Sequence, residues 1–125
     1  MVISLMDAGG FDLVILDLTE PDSPARALYT EAFFARVRAC LNPGGALSLH
    51  LGSPLVQAEQ VQRVWAALAA AFPVVRPMHL AVPLYGGPWC LAVASDALDP
   101  PDLAPALIAQ RLRERAIGDL RYYNE

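Results

Sequence analysis

The chain has 125 residues, 55% of them apolar and 18% charged, which places it among globular proteins with a substantial core and excludes intrinsic disorder. A formal net charge of -4 argues against phosphate-backbone binding, which calls for a basic face, and is compatible with a site for cations. No Arg- or Lys-led apolar stretch opens the chain, and the Ala-rich run at 64–72 is too short to span a bilayer. The reading is therefore one soluble, cytoplasmic domain over residues 1–125, with no nucleic-acid and no membrane partner.

The first predicted element is an apolar strand in the run Phe11-Asp12-Leu13-Val14-Ile15-Leu16-Asp17-Leu18-Thr19-Glu20-Pro21. Its apolar residues 13–16 suit a parallel strand covered on both faces, and Asp17 and Glu20 then stand just past its end, where an open α/β sheet places its chemistry. Turn formation also draws acids and prolines to such loops, so the strand alone leaves both readings open. Ser23 followed by Pro24 is an N-cap signal for a helix, continued by apolar residues at Leu28, Ala32, Phe33, Val37, Cys40 and Leu41. Asn42-Pro43-Gly44-Gly45 stops this helix and leads into a buried strand at 46–51, interrupted by Ser48 and His50.

Ser53-Pro54 repeats the cap-plus-proline device before a second helix at 55–72. Val61, Val64, Trp65, Leu68 and Phe72 mark its apolar face, with Gln57, Gln60 and Arg63 opposite, and Pro73 ends it. Strands at 74–82 and 89–95 form an antiparallel pair through the turn Tyr85-Gly86-Gly87-Pro88, and a last helix covers 103–117. The order β-α-β-α-β-β-α predicts an α/β fold, half of a doubly wound, Rossmann-like sheet with a carboxyl-terminal antiparallel hairpin. Cys40 and Cys90 lie far apart without C-x-x-C spacing and read as reduced core thiols. His50 and His79 have no second ligand at metal spacing, so no metal is expected.

Three ordered motifs carry a family resemblance. Asp17, Thr19, Glu20 and Pro21 fit a strand ending D-x-[ST]-[DE]-P, and Pro24, Ala25, Leu28, Tyr29, Thr30 and Phe33 fit the loop that follows, x-x-P-A-x-x-L-[FY]-[ST]-x-x-F. Pro83-Leu84-Tyr85 fits P-[ST]-[YF] except at Leu84, and Leu120-Arg121-Tyr122-Tyr123-Asn124 fits L-R-Y-Y-N. The chain thus resembles the polyamine aminopropyltransferases, the spermidine synthase family, whose catalytic domain has the methyltransferase-type Rossmann fold.

The resemblance implies transfer of an aminopropyl group from decarboxylated S-adenosylmethionine, as nucleoside co-substrate, to a diamine such as putrescine. It makes Asp17 the acid-base residue beside the attacking nitrogen, with Tyr85 assisting. Glu20, His50 and Tyr85 become amine-binding positions. Asp17, Thr19, Pro24, Ala25 and Leu28 become contacts to the nucleoside side. Glu20 replaces the commoner Asp, displacing the charge by about 1.5 Å, and His50 replaces a glutamine. For His50, a hydrogen-bonded strand histidine remains the alternative. For Pro24, Ala25 and Leu28 it is helix capping and core packing, and for Trp89 a buried strand aromatic.

In the resembling family the Gly-rich turn, the acidic ribose-binding residue and the adenine-side Asp-Ala pair lie upstream of the strand that opens this chain. The resemblance therefore covers the carboxyl-terminal portion of a catalytic domain. Three readings follow: an aminopropyltransferase; a truncated or partner-dependent module of such an enzyme, inactive as it stands; and an S-adenosylmethionine-dependent methyltransferase, against which the continuation after Asp17 argues. A parallel strand with a buried pattern needs neighbours, so a homodimer covering the free edge of the first strand or the apolar helix faces is expected.

Overall fold

Alternation through the second strand decides the architecture. Leu47, Leu49 and Leu51 are all at most 2% exposed, while the intervening Ser48 and His50 point to the other side of the sheet. The computed structural model describes residues 10–18, 24–100 and 104–121. They form β1 (Phe11–Leu16), a 3-10 turn (Pro24–Leu28), α1 (Glu31–Cys40), β2 (Leu41–Gly52) and α2 (Ala58–Ala71). β3 (Val74–Val82), a 3-10 turn (Pro83–Tyr85), β4 (Gly87–Ser95) and α3 (Pro105–Glu114) follow. The predicted element order is thus the observed one, and the sheet order is β1-β2-β4-β3. β1 runs parallel to β2, whereas β4 is antiparallel to both β2 and β3. The described residues make a mixed α/β sheet, a partial Rossmann-like fold.

α1 and α2 pack on the same face of this sheet. Phe34 and Val37 from α1, Val64 and Leu68 from α2, Leu47 from β2, and Ala92 and Ala94 from β4 are fully buried in one cluster. Burying a Val, Leu or Phe side chain contributes about 1.5–3 kcal/mol each. The small alanines of β4 let the helices approach the sheet. On the opposite face, Leu13 is 53% and Ile15 64% exposed. β1 is an edge strand with no proline within it and its one charge at Asp12. The other edge, β3, carries Arg76, Pro77 and His79, which discourage further pairing.

Four boundaries differ from the sequence reading. The first helix is not continuous from Pro24, because Pro24–Leu28 is a 3-10 turn and Thr30 restarts the chain as the N-cap of α1, accepting the Phe33 N–H at 3.3 Å. Ser23 lies outside the described residues. Asn42-Pro43-Gly44-Gly45 falls inside β2 as a bulge, where the register jumps from Phe11 opposite Leu41 to Leu13 opposite Ala46. Asn42 Nδ2 holds the bulge by donating to Asp12 Oδ1 at 2.8 Å and Gly10 O at 3.2 Å. A Cβ at Gly45 would lie 2.9 Å from Asn42 O and 3.0 Å from Phe11 O, so only glycine lets the two backbones approach. From β4, Ser95 Oγ donates to Gly45 O at 2.7 Å.

The second helix starts at Ala58, not Leu55. Gln57 takes the cap position without a side-chain cap bond, and its Oε1 reaches back to accept the Ser53 N–H at 2.9 Å. Gln60 belongs to the buried side, its Nε2 donating to Leu51 O at 3.1 Å. α3 ends at Glu114 because Ala116 adopts φ 52°, and Leu103, its expected start, lies outside the described residues. Cys40 and Cys90 are both free and buried. No helix of the described residues is long and apolar enough to cross a membrane.

Candidate active site

The register explains how one strand end gathers the functional side chains. Leu16 pairs with Leu49, the last rung between β1 and β2, so Asp17 emerges just beyond the ladder on the face that also carries Ile15 and His50. Past this rung the strands stay connected by a side chain, His50 Nε2 lying 2.7 Å from Leu18 O. Across the sheet His50 pairs with Leu91, two residues from Trp89. The turn after β3 then brings Tyr85 over Trp89, with ring centroids 4.5 Å apart and planes at 47°. His50 and Trp89 rings are 6.0 Å apart at 33°.

The result is a cleft of about 500 Å³ lined by Asp17, Leu18, His50, Ser53, Val56, Gln57, Tyr85 and Trp89. Asp17, His50 and Tyr85, drawn from three separate stretches of sequence, are therefore in one place. Thr19 and Glu20 lie outside the described residues. Pro24, Ala25 and Leu28 form the 3-10 turn, where Ala25 and Leu28 pack against the core; none of the three lines the cleft. Tyr122, Tyr123 and Asn124 also fall outside the described residues.

Four lining residues had no functional signal in the sequence: Leu18, Ser53, Val56 and Gln57. Trp89, read first as a packing residue, forms the wall between His50 and Tyr85. Tyr29 is a further addition. It is 5% exposed, and burial, followed by the negative charge of Asp17, raises its phenol above the ordinary 10.0. The Asp17 carboxylate thus acts electrostatically on a buried tyrosine as well as facing the cleft. The spacing of Tyr29 from Asp17 in the sequence gave no hint of this interaction.

An acid beside aromatic faces suits a cation, since a carboxylate attracts it by charge and a tryptophan or tyrosine face by its quadrupole. A carboxylate within reach of an amine can also take the proton that the nitrogen sheds when it forms a new bond. Among the described residues, no three His, Cys, Asp or Glu side chains gather in a metal-binding cluster. A second, more apolar cleft of about 310 Å³ lies on the helical side between α2 and the β3–β4 hairpin, with Trp65, His79 and Cys90 among its walls. It lacks a carboxylate.

Comparisons with known proteins bear on the family and the fold. A polyamine aminopropyltransferase from Nitrosomonas europaea is 45% identical over 114 residues, an alignment covering 91% of this chain and 35% of that protein. The chain thus spans about a third of that relative's length. In three dimensions it resembles a spermidine synthase solved with the transition-state analogue AdoDATO, with a TM-score of 0.82, 24% identity and coverage of 97% of this chain and 41% of that one. Human methyltransferase-like protein 13, solved with SAH, matches with a TM-score of 0.65 at 20% identity over 99% of this chain and 58% of its own. Both likenesses describe the fold. The model of the spermine/spermidine synthase domain matches residues 3–100, and this chain belongs to that family.

Proposed function

We propose that the chain carries the amine-binding and acid-base part of an aminopropyltransferase of polyamine biosynthesis. The co-substrate is decarboxylated S-adenosylmethionine and the acceptor a diamine such as putrescine. The observation that supports this most is the convergence of Asp17 with His50, Tyr85 and Trp89 in one cleft of a chain from this family. In the reaction, the lone pair of a neutral amine nitrogen attacks the aminopropyl carbon bonded to the sulfonium sulfur. The carbon–sulfur bond breaks with its electron pair passing to sulfur, releasing 5′-methylthioadenosine. Asp17 accepts the proton lost by the nitrogen, and the Tyr85 hydroxyl orients that nitrogen. Glu20 and His50 hold the distal part of the amine, and Thr19, Pro24, Ala25 and Leu28 flank the nucleoside. The site is proposed to work without a metal, in the cytoplasm.

Among the described strands β1 lies at an edge, with Leu13 and Ile15 exposed beside it, and this favours a second element in the same proposal: the chain acts as a homodimer that covers this surface. Calorimetric titration with 5′-methylthioadenosine tests the proposed site without assuming an acceptor. Micromolar binding supports it; a folded chain that shows no heat of binding contradicts it. Size-exclusion with light scattering addresses the assembly, and a stable monomer at micromolar concentration overturns the dimer.

A further inference from the structure

We infer that His50 is a positioning residue for Asp17, strapping the end of β1 to β2 past the point where the sheet itself lets go; as a catalytic role this rests on Asp17 being the acid-base group. The last backbone rung between the strands is Leu16 with Leu49, and Asp17 follows it immediately. An unpaired strand end is free to swing, and a carboxylate attached to it would swing as well. Here the next carbonyl, that of Leu18, is held from the neighbouring strand by His50 Nε2 at 2.7 Å. Asp17 is therefore fixed on both sides, by a backbone ladder before it and a side-chain bond after it.

The chemistry of the bond fixes the histidine's own state. A carbonyl oxygen can only accept, so Nε2 carries the hydrogen, and in the neutral ring Nδ1 keeps its lone pair. Nε2 is thus committed to the protein, and any contact of His50 with a substrate amine uses Nδ1 as an acceptor. Packing supports the same orientation, since the tilted Trp89 ring 6.0 Å away limits how far the imidazole can turn. The charged and titratable neighbours in the described part of the cleft are Asp17 from the β1 end and Tyr85 from the turn after β3, with Gln57 and Ser53 as neutral polar groups. None of them is bonded to Nε2, so among the described residues the strap rests on the Leu18 carbonyl.

The strap is a role additional to the amine contact proposed for His50 through Nδ1, and it is distinct from that of an inert strand histidine. The three roles predict different variants. Glutamine can place an amide N–H near the same carbonyl, phenylalanine keeps the ring against Trp89 without a donor, and alanine removes both. The experiment combines an isotope-labelled imidazole spectrum of the full chain in mildly alkaline buffer with steady-state kinetics of His50→Ala, His50→Phe and His50→Gln.

The strap predicts a histidine protonated at Nε2 and bare at Nδ1. It also predicts a fall in kcat of about 10- to 100-fold in the alanine and phenylalanine variants, from misplacement of the reacting group, with KM for the nucleoside nearly unchanged and most of kcat restored by glutamine. A histidine protonated at Nδ1 overturns the strap. Equal activity of the phenylalanine and glutamine variants overturns the positioning role, as does an unchanged kcat in His50→Ala. A wild-type chain that makes no 5′-methylthioadenosine sinks the proposed activity and the catalytic half of this inference together, while the spectrum still decides the strap.

Discussion

Replacing Asp17 with asparagine keeps the shape of the side chain and removes its capacity to take a proton. Asp17 lies one residue beyond the β1–β2 ladder, is exposed and lines a cleft, so the substitution should leave the fold intact. A positioned general base contributes about a hundredfold to ten-thousandfold, so Asp17→Asn should lower kcat by that factor, about 3–5.5 kcal/mol of transition-state stabilisation. Formation of 5′-methylthioadenosine, followed chromatographically across amine concentrations, separates the loss in kcat from any change in amine affinity. An internal control comes from Tyr29, whose phenol is raised by burial and then by the Asp17 charge. Its ultraviolet titration should move part of the way back towards 10.0 in the variant and stop above it, since burial persists. A kcat within about threefold of wild type would refute Asp17 as the base, and an unmoved Tyr29 titration would refute its placement.

Other substitutions test the scaffold around the site. Gly45→Ala forces a Cβ against the carbonyls of Asn42 and Phe11 in the β2 bulge and should destabilise by about 1–3 kcal/mol, seen as a Tm lower by several degrees. Ser95 is fully buried, donates to Gly45 O and accepts the N–H groups of Ala97 and Leu98, so Ser95→Ala should cost about 1–3 kcal/mol in urea unfolding; a smaller loss would mean that other groups replace those bonds. Because the folded state holds the Tyr29 proton more tightly than the unfolded state, its contribution is fully present below 10.0 and is lost as pH rises through the higher folded value. Denaturation midpoints should therefore fall in strong alkali for wild type, and fall less for Tyr29→Phe. Replacing Leu13 and Ile15 together with lysine should convert the proposed dimer to monomer in light scattering without loss of helical signal, because both side chains already face solvent within one copy.

How far the sequence alone could be read depended on whether the signal was local. Apolar runs, turn residues and helical periodicity placed the four strands and three helices of the described residues in order, but the unbroken apolar run at 13–16 read as a strand covered on both faces, whereas Leu13 and Ile15 are exposed on one of them. The starts of the first two helices were misplaced by a shared cause: a serine followed by proline fits a cap, yet Thr30 competes for the first helix and Gln57 bonds back to Ser53 before the second. Asn42-Pro43-Gly44-Gly45 looked like a terminator because its residues favour turns. Its role as a bulge depends on Asn42 meeting Asp12, a partner 30 positions away.

The same distinction holds for the candidate site. Asp17 and Tyr85 stood out because motifs surrounded them, and the cleft does contain both. The link from His50 to Leu18 was not legible, because it requires the parallel register of β1 on β2. Tyr29 occupied a motif position where its ring alone drew notice. Its electrostatic interaction with Asp17 joins two residues twelve positions apart, a relation that no periodicity encodes.

The decisive experiment incubates the purified chain with decarboxylated S-adenosylmethionine and putrescine and quantifies both products. Spermidine and 5′-methylthioadenosine should form in equal amounts, with formation abolished or strongly reduced in Asp17→Asn. A folded wild-type chain that yields neither product under conditions where an active homologue yields both would contradict the proposed activity.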